Sequence, residues 1–427
     1  MQNVPPEEKA VGMEVFFTHH EGIGGVIKQS PEDFIVEEVP TLPPPGDGSY
    51  TVAFVEAKNW ETHQLIYHMA RSLGISENAI GIAGIKDKRA ITKQAMSFRC
   101  PMEKVMELSI PGVKIEILYR SYHPISRGEL IGNMFSVIIR DVDADEERIK
   151  SISNDIEKAG GFPNFFGIQR FGITRPITHL VGKYMVLGDF KKAVMTYIAN
   201  PIKGEEKESY DARKYLQETM DFSGALKMYP RKLLFERKMI FHLSEKPDDW
   251  EGALKKISKN LVRIFIHAYQ SFLFNKILSR RIQEGIPINK VVEGDIVIPC
   301  DNEIVVQSRK GIMVSKDNKQ KINNHIKKGK CFPTGAIIGY DTPFAEKRMG
   351  EIEKEVMEEE GISQKNFIIS SFPHLSPPGM RRIILAPLKK INWEIDDNKV
   401  HLSFFLRKGC YATCLLREFM KANIYSY

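Results

Sequence analysis

The chain has 427 residues, 42% of them apolar and 27% charged, with a formal net charge of +7. That length exceeds what one hydrophobic core usually serves and predicts two or three domains, while the composition describes a soluble, core-forming chain. The five cysteines (100, 300, 331, 410 and 414) are odd in number and form no CxxC, which argues against a disulfide-framed secreted protein and against a thiolate metal site.

The modest positive charge fits a nucleic-acid partner and a basic-leaning enzyme without one equally well. MQNVPPEEKA carries no apolar signal segment and no run of 18 apolar residues occurs, so no membrane partner and a cytoplasmic location are expected.

Residues 1–12 read as a loose lead-in. In 23–39 the alternation predicts a strand with Phe34 and Val36 on one face and Ile35 on the other. Pro40 to Gly48 must be a loop, since its consecutive prolines cannot join a central strand. A strand follows over 49–57, then a helix over 62–73 with Thr62 as N-cap and Leu65, Ile66, Met69, Ala70 and Leu73 on one face. Further strands are expected at 95–100, 113–119 and 134–139. A helix from Asp143 to Ala159 should bury Ile149, Ile152 and Ile156 and stop at Gly160. The mixture predicts α+β rather than regular βαβ units.

From 190 to 375 the texture changes. A polar run (204–210) precedes a long helix over 261–282, striped by Phe265, Tyr269, Phe272, Leu273 and Ile277 at core spacing. Short strands follow within KVVEGDIVIP and EIVVQS. Arg309 to Lys330 holds eight basic residues and one acid, Asp317, and reads as a solvated loop or as a strip contacting phosphates. Glu346 to Glu360 is mostly acidic and reads as an exposed helix with little i,i+4 support. Residues 400–409 alternate as a strand and 411–421 form a helix with Ala412, Leu415, Leu416 and Phe419 on one side.

Two stretches carry possible chemistry. In GIAGIKDKRAITKQAMSF (81–98), one carboxylate, Asp87, sits among Lys86, Lys88 and Arg89 directly after an apolar run. It is either a solvated turn or an acid at the mouth of a basic cleft, where the cations favour its ionised form and attract a polyanion. In FPNFFGIQRFG (162–172), aromatic rings, Asn164, Gln169, Arg170 and two glycines are either a hydrophobic turn or a platform for a base.

GIAGIKDKRAITKQ resembles the signature of the TruD family of tRNA pseudouridine synthases through Ala83, Gly84, Lys86, Asp87, Lys88, Ala90, Thr92 and Gln94. The second stretch is similar to the family's Asn-aromatic-Phe-Gly-x-Gln-Arg-Phe-Gly motif, with Phe165 where tyrosine is common. Lys28, ahead of Pro31-Glu32-Asp33-Phe34, matches a family lysine, and LRKGCYATCLLRE matches the terminal signature through Gly409, Tyr411, Ala412, Thr413, Leu416, Arg417 and Glu418. The segment 267–281 is similar to a family helix.

The resemblance implies a pseudouridine synthase core with a mixed or antiparallel sheet, formed by 1–190 and 376–427 and interrupted by a second α+β domain over 191–375. It implies an isomerase converting uridine to pseudouridine at position 13 of tRNA, with no cofactor and no metal. Asp87 would be the catalytic acid, with Lys28, Lys86 and Lys88 keeping it ionised. Phe166 would lie near a flipped base, with Asn164, Gln169 and Arg170 in support. Gly84 would permit close backbone approach and Thr92 would orient the loop.

The rival readings are a non-catalytic RNA-binding protein, a scaffold, and an acid-dependent hydrolase. The hydrolase needs a second carboxylate, for which Glu37 and Glu38 are the nearby candidates.

Overall fold

The computed structural model describes residues 3–143, 145–172, 174–301, 304–305 and 311–427. Contacts group the chain into two compact units. One comprises 16–162 and 386–427, the other 3–15 and 163–385. Composition put the change of texture at 190 and 375, whereas contacts change over after Phe162 and Leu385. The difference arises because the helix Thr178–Val186 packs on the long helix Lys259–Gln283 of the second unit.

In the first unit nine strands form one sheet among the described residues. They are β1 (Gly24–Val26), β2 (Phe34–Pro40), β3 (Tyr50–Lys58), β4 (Ile80–Ile82), β5 (Ile91–Phe98), β6 (Val113–Ser121), β7 (Leu130–Val142), β8 (Ile391–Asp396) and β9 (Lys399–Arg407). Their order is β8-β9-β7-β2-β5-β3-β6, with β1 added to β7 and β4 to β5. Every pairing is antiparallel except β2 with β5, where Ile35 faces Ile91 and Val36 faces Thr92. The alternation in β2 is as the sequence requires, with Phe34 and Val36 buried and Ile35 half-buried.

Three longer helices belong to this unit, α1 (Thr62–Leu73), α2 (Glu146–Ala159) and α3 (Ala412–Met420), beside the short helix Met102–Met106. The apolar face of α1 meets Ala53, Val55, Met96 and Phe98 of the sheet. Its cap is Glu61 rather than Thr62. The Glu61 carboxylate accepts from the His63 and Gln64 N–H groups, which frees the Thr62 hydroxyl for another partner. Helix α2 is capped by Asp145, buries its three isoleucines completely and ends at Gly160 in the left-handed region, φ 75°.

Helix α3 carries Arg417 and Glu418 as a buried pair. Glu418 accepts from the Phe17 and Thr18 N–H groups at 2.9 and 3.0 Å and from Arg417 at 3.1 Å, and the Arg417 guanidinium lies 4.2 Å from the centre of the Phe16 ring. The C-terminal signature thereby fastens residues 16–18 to the unit's core.

The second unit is built around Lys259–Gln283, whose Phe265, Tyr269, Leu273 and Ile277 are fully buried. A short antiparallel sheet of Ile296–Asp301, Cys331–Ile337 and Met380–Ile383 belongs to the same unit.

Three expectations fail in this unit. Residues 3–15 are not loose: they include a turn of helix, Pro6–Lys9, and bury Val11 and Met13. Asn275 donates to the Val11 carbonyl, and Ser279 donates to the Gly12 carbonyl while accepting from the Glu14 N–H. Polar anchors of this kind leave no apolar pattern to read.

Lys319–Lys327 is a helix burying Ile322 and Ile326 rather than a loop; Arg309, Lys310 and 306–308 lie outside the described residues. Lys347–Glu359 buries Met349, Ile352 and Val356, and its acids find cations on other elements. Glu359 pairs with Arg280 at 2.7 Å and Lys276 at 3.1 Å, and buried Glu353 pairs with Arg381 at 2.6 Å. Counting i,i+4 pairs within one helix misses such partners.

Candidate functional site

The parallel pairing of β2 with β5 brings both strand-entry loops to one end of the sheet. The turn 27–33 leads into β2 and the loop 83–90 leads into β5, so Lys28 and Asp87, far apart in sequence, become neighbours. The Lys28 ammonium is 3.1 Å from an Asp87 carboxylate oxygen and 4.2 Å from the centre of the Phe34 ring. Its side chain is only 13% exposed, whereas that of Asp87 is 46% exposed and open to a partner. Lys28 has φ 58°, a left-handed backbone that costs a residue with a side chain about 1–2 kcal/mol. Strain of this kind persists where surrounding structure enforces it.

Asp33 does the enforcing. One of its carboxylate oxygens accepts from Arg140 Nε and Nη2 at 2.9 and 2.7 Å, and the other accepts from the Ser30 N–H at 2.9 Å. Burial pushes the Asp33 carboxyl up, but the Arg140 guanidinium and the Ser30 N–H outweigh it and hold the group below the usual carboxylate range. A depressed folded-state value means that this contribution is fully present above the unfolded value of about 3.9 and is lost as pH falls through the folded one. Asp33→Asn should therefore destabilise the protein by about 2 kcal/mol at pH 7, and the gap to wild type should shrink by pH 3 in urea unfolding. A gap of the same size at both pH values would contradict this assignment.

Lys86 faces elsewhere. Its ammonium pairs with Glu38 of β2, and the two side chains are 7% and 0% exposed. Glu38 also accepts from the Ala95 N–H at 3.3 Å. The Lys86 backbone is held by the hydroxyl of Thr62, which accepts from the Lys86 N–H at 3.0 Å and donates to its carbonyl at 3.4 Å. Lys86 thus anchors the loop from below, while its neighbour Asp87 stands exposed.

Lys88 and Arg89 are exposed and neither forms an ion pair among the described residues. A Cβ at Gly84 would meet only the Lys86 ammonium, at 3.8 Å, so the protein's own packing does not demand glycine there. Thr92 lies within β5, buried, and its hydroxyl reaches the Ala57 carbonyl at 3.5 Å; it belongs to the sheet and not to the loop. Glu38 is neutralised by Lys86 and Glu37 points to solvent, so neither supplies the free second carboxylate of the hydrolase reading.

The aromatic stretch belongs to the second unit. Asn275 clamps Phe166 by accepting from its N–H at 2.8 Å and donating to its carbonyl at 3.0 Å. The Phe166 ring is half-buried, stands edge-on to Phe274 at 5.5 Å, and has the Arg382 and Arg170 guanidinium carbons 4.1 and 5.9 Å from its centre. Arg170 is oriented by the Ser271 hydroxyl, which its Nε reaches at 3.3 Å. Asn164 is 2% exposed, and its amide donates to the Ile383 carbonyl at 3.0 Å and accepts from Arg382 at 2.8 Å. It orients Arg382 rather than presenting itself. Gln169 is half-buried, and Phe165 is buried as a packing residue.

Asn275 and Arg382 were not singled out from the sequence, Glu38 was named there only as a second carboxylate and Thr62 only as a helix cap. For Asn275 a signal existed, an amide on the buried face of a helix. The other three are ordinary residues until the fold gives them partners.

Among the described residues no helix is long and apolar enough to cross a membrane, and no cluster of three His, Cys, Asp or Glu could hold a metal ion.

A family model described as tRNA pseudouridine synthase D (TruD) matches residues 10–419. A Methanosarcina mazei protein named "Probable tRNA pseudouridine synthase D" is 39% identical, with 98% of each chain covered. A Pyrococcus furiosus protein of the same name is 37% identical, covering 96% of this chain and 99% of its own. A crystal structure described as "Putative tRNA pseudouridine synthase D (TruD)" from Methanosarcina mazei superposes with a TM-score of 0.90 over the whole of both chains, at 39% identity.

Proposed function

We propose that this chain, which belongs to the TruD family of tRNA pseudouridine synthases and shares their isomerisation of uridine to pseudouridine in tRNA, acts in the cytoplasm on uridine 13 through Asp87. The reaction breaks the N1–C1′ bond, turns the uracil and joins C5 to C1′; N1 gains a proton and C5 loses one. Atoms and electrons balance without an external group.

The observation that carries the assignment is the Lys28–Asp87 contact. A carboxylate held by one ammonium, yet nearly half exposed, is an acid supported from one side and free on the other. A carboxylate so held can serve as a nucleophile or a general base toward whatever approaches its open side. The uridine must leave its stack to reach such a group. Phe166 is assigned the detached ring, since a flat apolar face beside Arg382 and Arg170 limits tumbling while permitting rotation. Asn164 and Gln169 support that loop, and Lys88 and Arg89 contact phosphate. On this reading 1–190 with 376–427 form the catalytic core and 191–375 the inserted domain that grips RNA.

The test is incubation of an unmodified tRNA transcript with the protein, without metal or cofactor, followed by mapping of pseudouridine by position. Modification confined to uridine 13 is expected. Modification elsewhere would refute the site assignment, and none at all would refute the activity.

A further inference from the structure

Helix Leu234–Glu245 of the second unit turns an apolar face to solvent. Glu236, Met239, Ile240 and Leu243 point into the core. Leu234, Lys238 and Phe241 follow at i, i+4 and i+7, so they line one outward side. Leu234 is 63% exposed, Phe241 52% and Phe235, at the edge of the stripe, 39%. A surface helix ordinarily shows charge there, and clustered exposed rings mark a surface that meets something.

The charge around the face is one-sided. Arg231 lies in the turn before the helix, Lys227 near the end of the preceding helix Phe222–Met228 and Lys238 within the stripe, and all three are exposed. None forms an ion pair among the described residues, although nearby Lys232 pairs with Glu206 and Arg213 with both Glu205 and Glu236. Two acids flank these cations: Glu245 closes the far end of the stripe, and exposed Asp221 lies within electrostatic reach of Lys227.

We infer that this face binds an unpaired segment of the tRNA, with bases stacked on Phe235 and Phe241 and phosphates held by Lys227, Arg231 and Lys238. Exposed rings interleaved with unneutralised cations suit a strand that has both π-faces and charge. A second copy of the chain fits worse. A self-complementary contact would bring the same three cations together with little acid to offset them, and the centres of protein interfaces are depleted of lysine. The inference rests on the tRNA reading above.

Two variants of the full chain test it: Phe235→Ser with Phe241→Ser, and Lys227→Glu with Arg231→Glu and Lys238→Glu. All five side chains are outward, so thermal melting should match wild type. Binding of unmodified tRNA transcript is measured across a salt series. The aromatic pair should weaken binding about tenfold with an unchanged salt slope. The charge variant should weaken it at least as much and flatten the slope by about 2–3.

Wild-type affinity and slope in both variants would overturn the inference. So would an aromatic variant that changes only sedimentation (a second copy) or only binding to anionic phosphatidylserine vesicles (a membrane surface). Failure of the tRNA reading is separately visible, as a wild-type protein that neither binds nor modifies the transcript.

Discussion

Asp87→Asn should lower pseudouridine formation by at least about 10³-fold, because an amide can act neither as a nucleophile nor as a base and no other free carboxylate stands beside it. The side chain is 46% exposed. Its pairing with Lys28 is thus partly screened, and stability should change by less than about 1 kcal/mol. The two readouts must separate. Single-turnover assays on tRNA would show the loss, while thermal unfolding and tRNA affinity stay near wild type. A variant within tenfold of wild-type rate would remove Asp87 from the chemistry. A purely RNA-binding protein would show no pseudouridine with either residue.

Glu38→Leu should be the most damaging single change to stability near the site, at about 3–5 kcal/mol, because it leaves the Lys86 ammonium buried without its counter-charge. Lys86→Met should destabilise by a similar route, stranding the Glu38 carboxylate. Replacing both, Glu38→Leu with Lys86→Met, removes the unpaired charge and should recover most of the stability. It should not recover full activity, since the loop carrying Asp87 loses the side-chain anchor beneath it and is held there by its hydrogen bonds to Thr62 and Gly128. Urea unfolding of the four proteins, analysed as a double-mutant cycle, gives the coupling. Additive losses would show that the two residues do not act as a pair.

These two expectations separate roles that are indistinguishable on paper. Lys86, Asp87 and Lys88 are consecutive, and sequence alone offered one carboxylate ringed by cations. In the structure one lysine anchors the loop from within, a lysine from the turn before β2 faces the acid, and Lys88 remains outward. Arg417 and Glu418 show the same limit: adjacent charges near a chain end carry no mark of their partners, yet they fasten residues 16–18 inside the core. Asn164 read as a base-side group because amides bind bases, whereas its amide bonds to Ile383 and Arg382.

The sequence by itself determined the α+β class, the alternation of β2 and the apolar faces of α1, α2 and α3. These follow from local periodicity, which chain neighbours alone can satisfy. It also determined the family, through residues at fixed spacing around Asp87 and Phe166. Only the tertiary structure decided that β2 and β5 run parallel. That pairing sets the entry loops of two distant strands at one sheet end, so it alone brings Lys28 to Asp87 and lets Glu38 hold Lys86. Hydrogen bonding between strands carries no mark in the sequence of either strand. A site assembled by strand pairing becomes visible only once the sheet is formed.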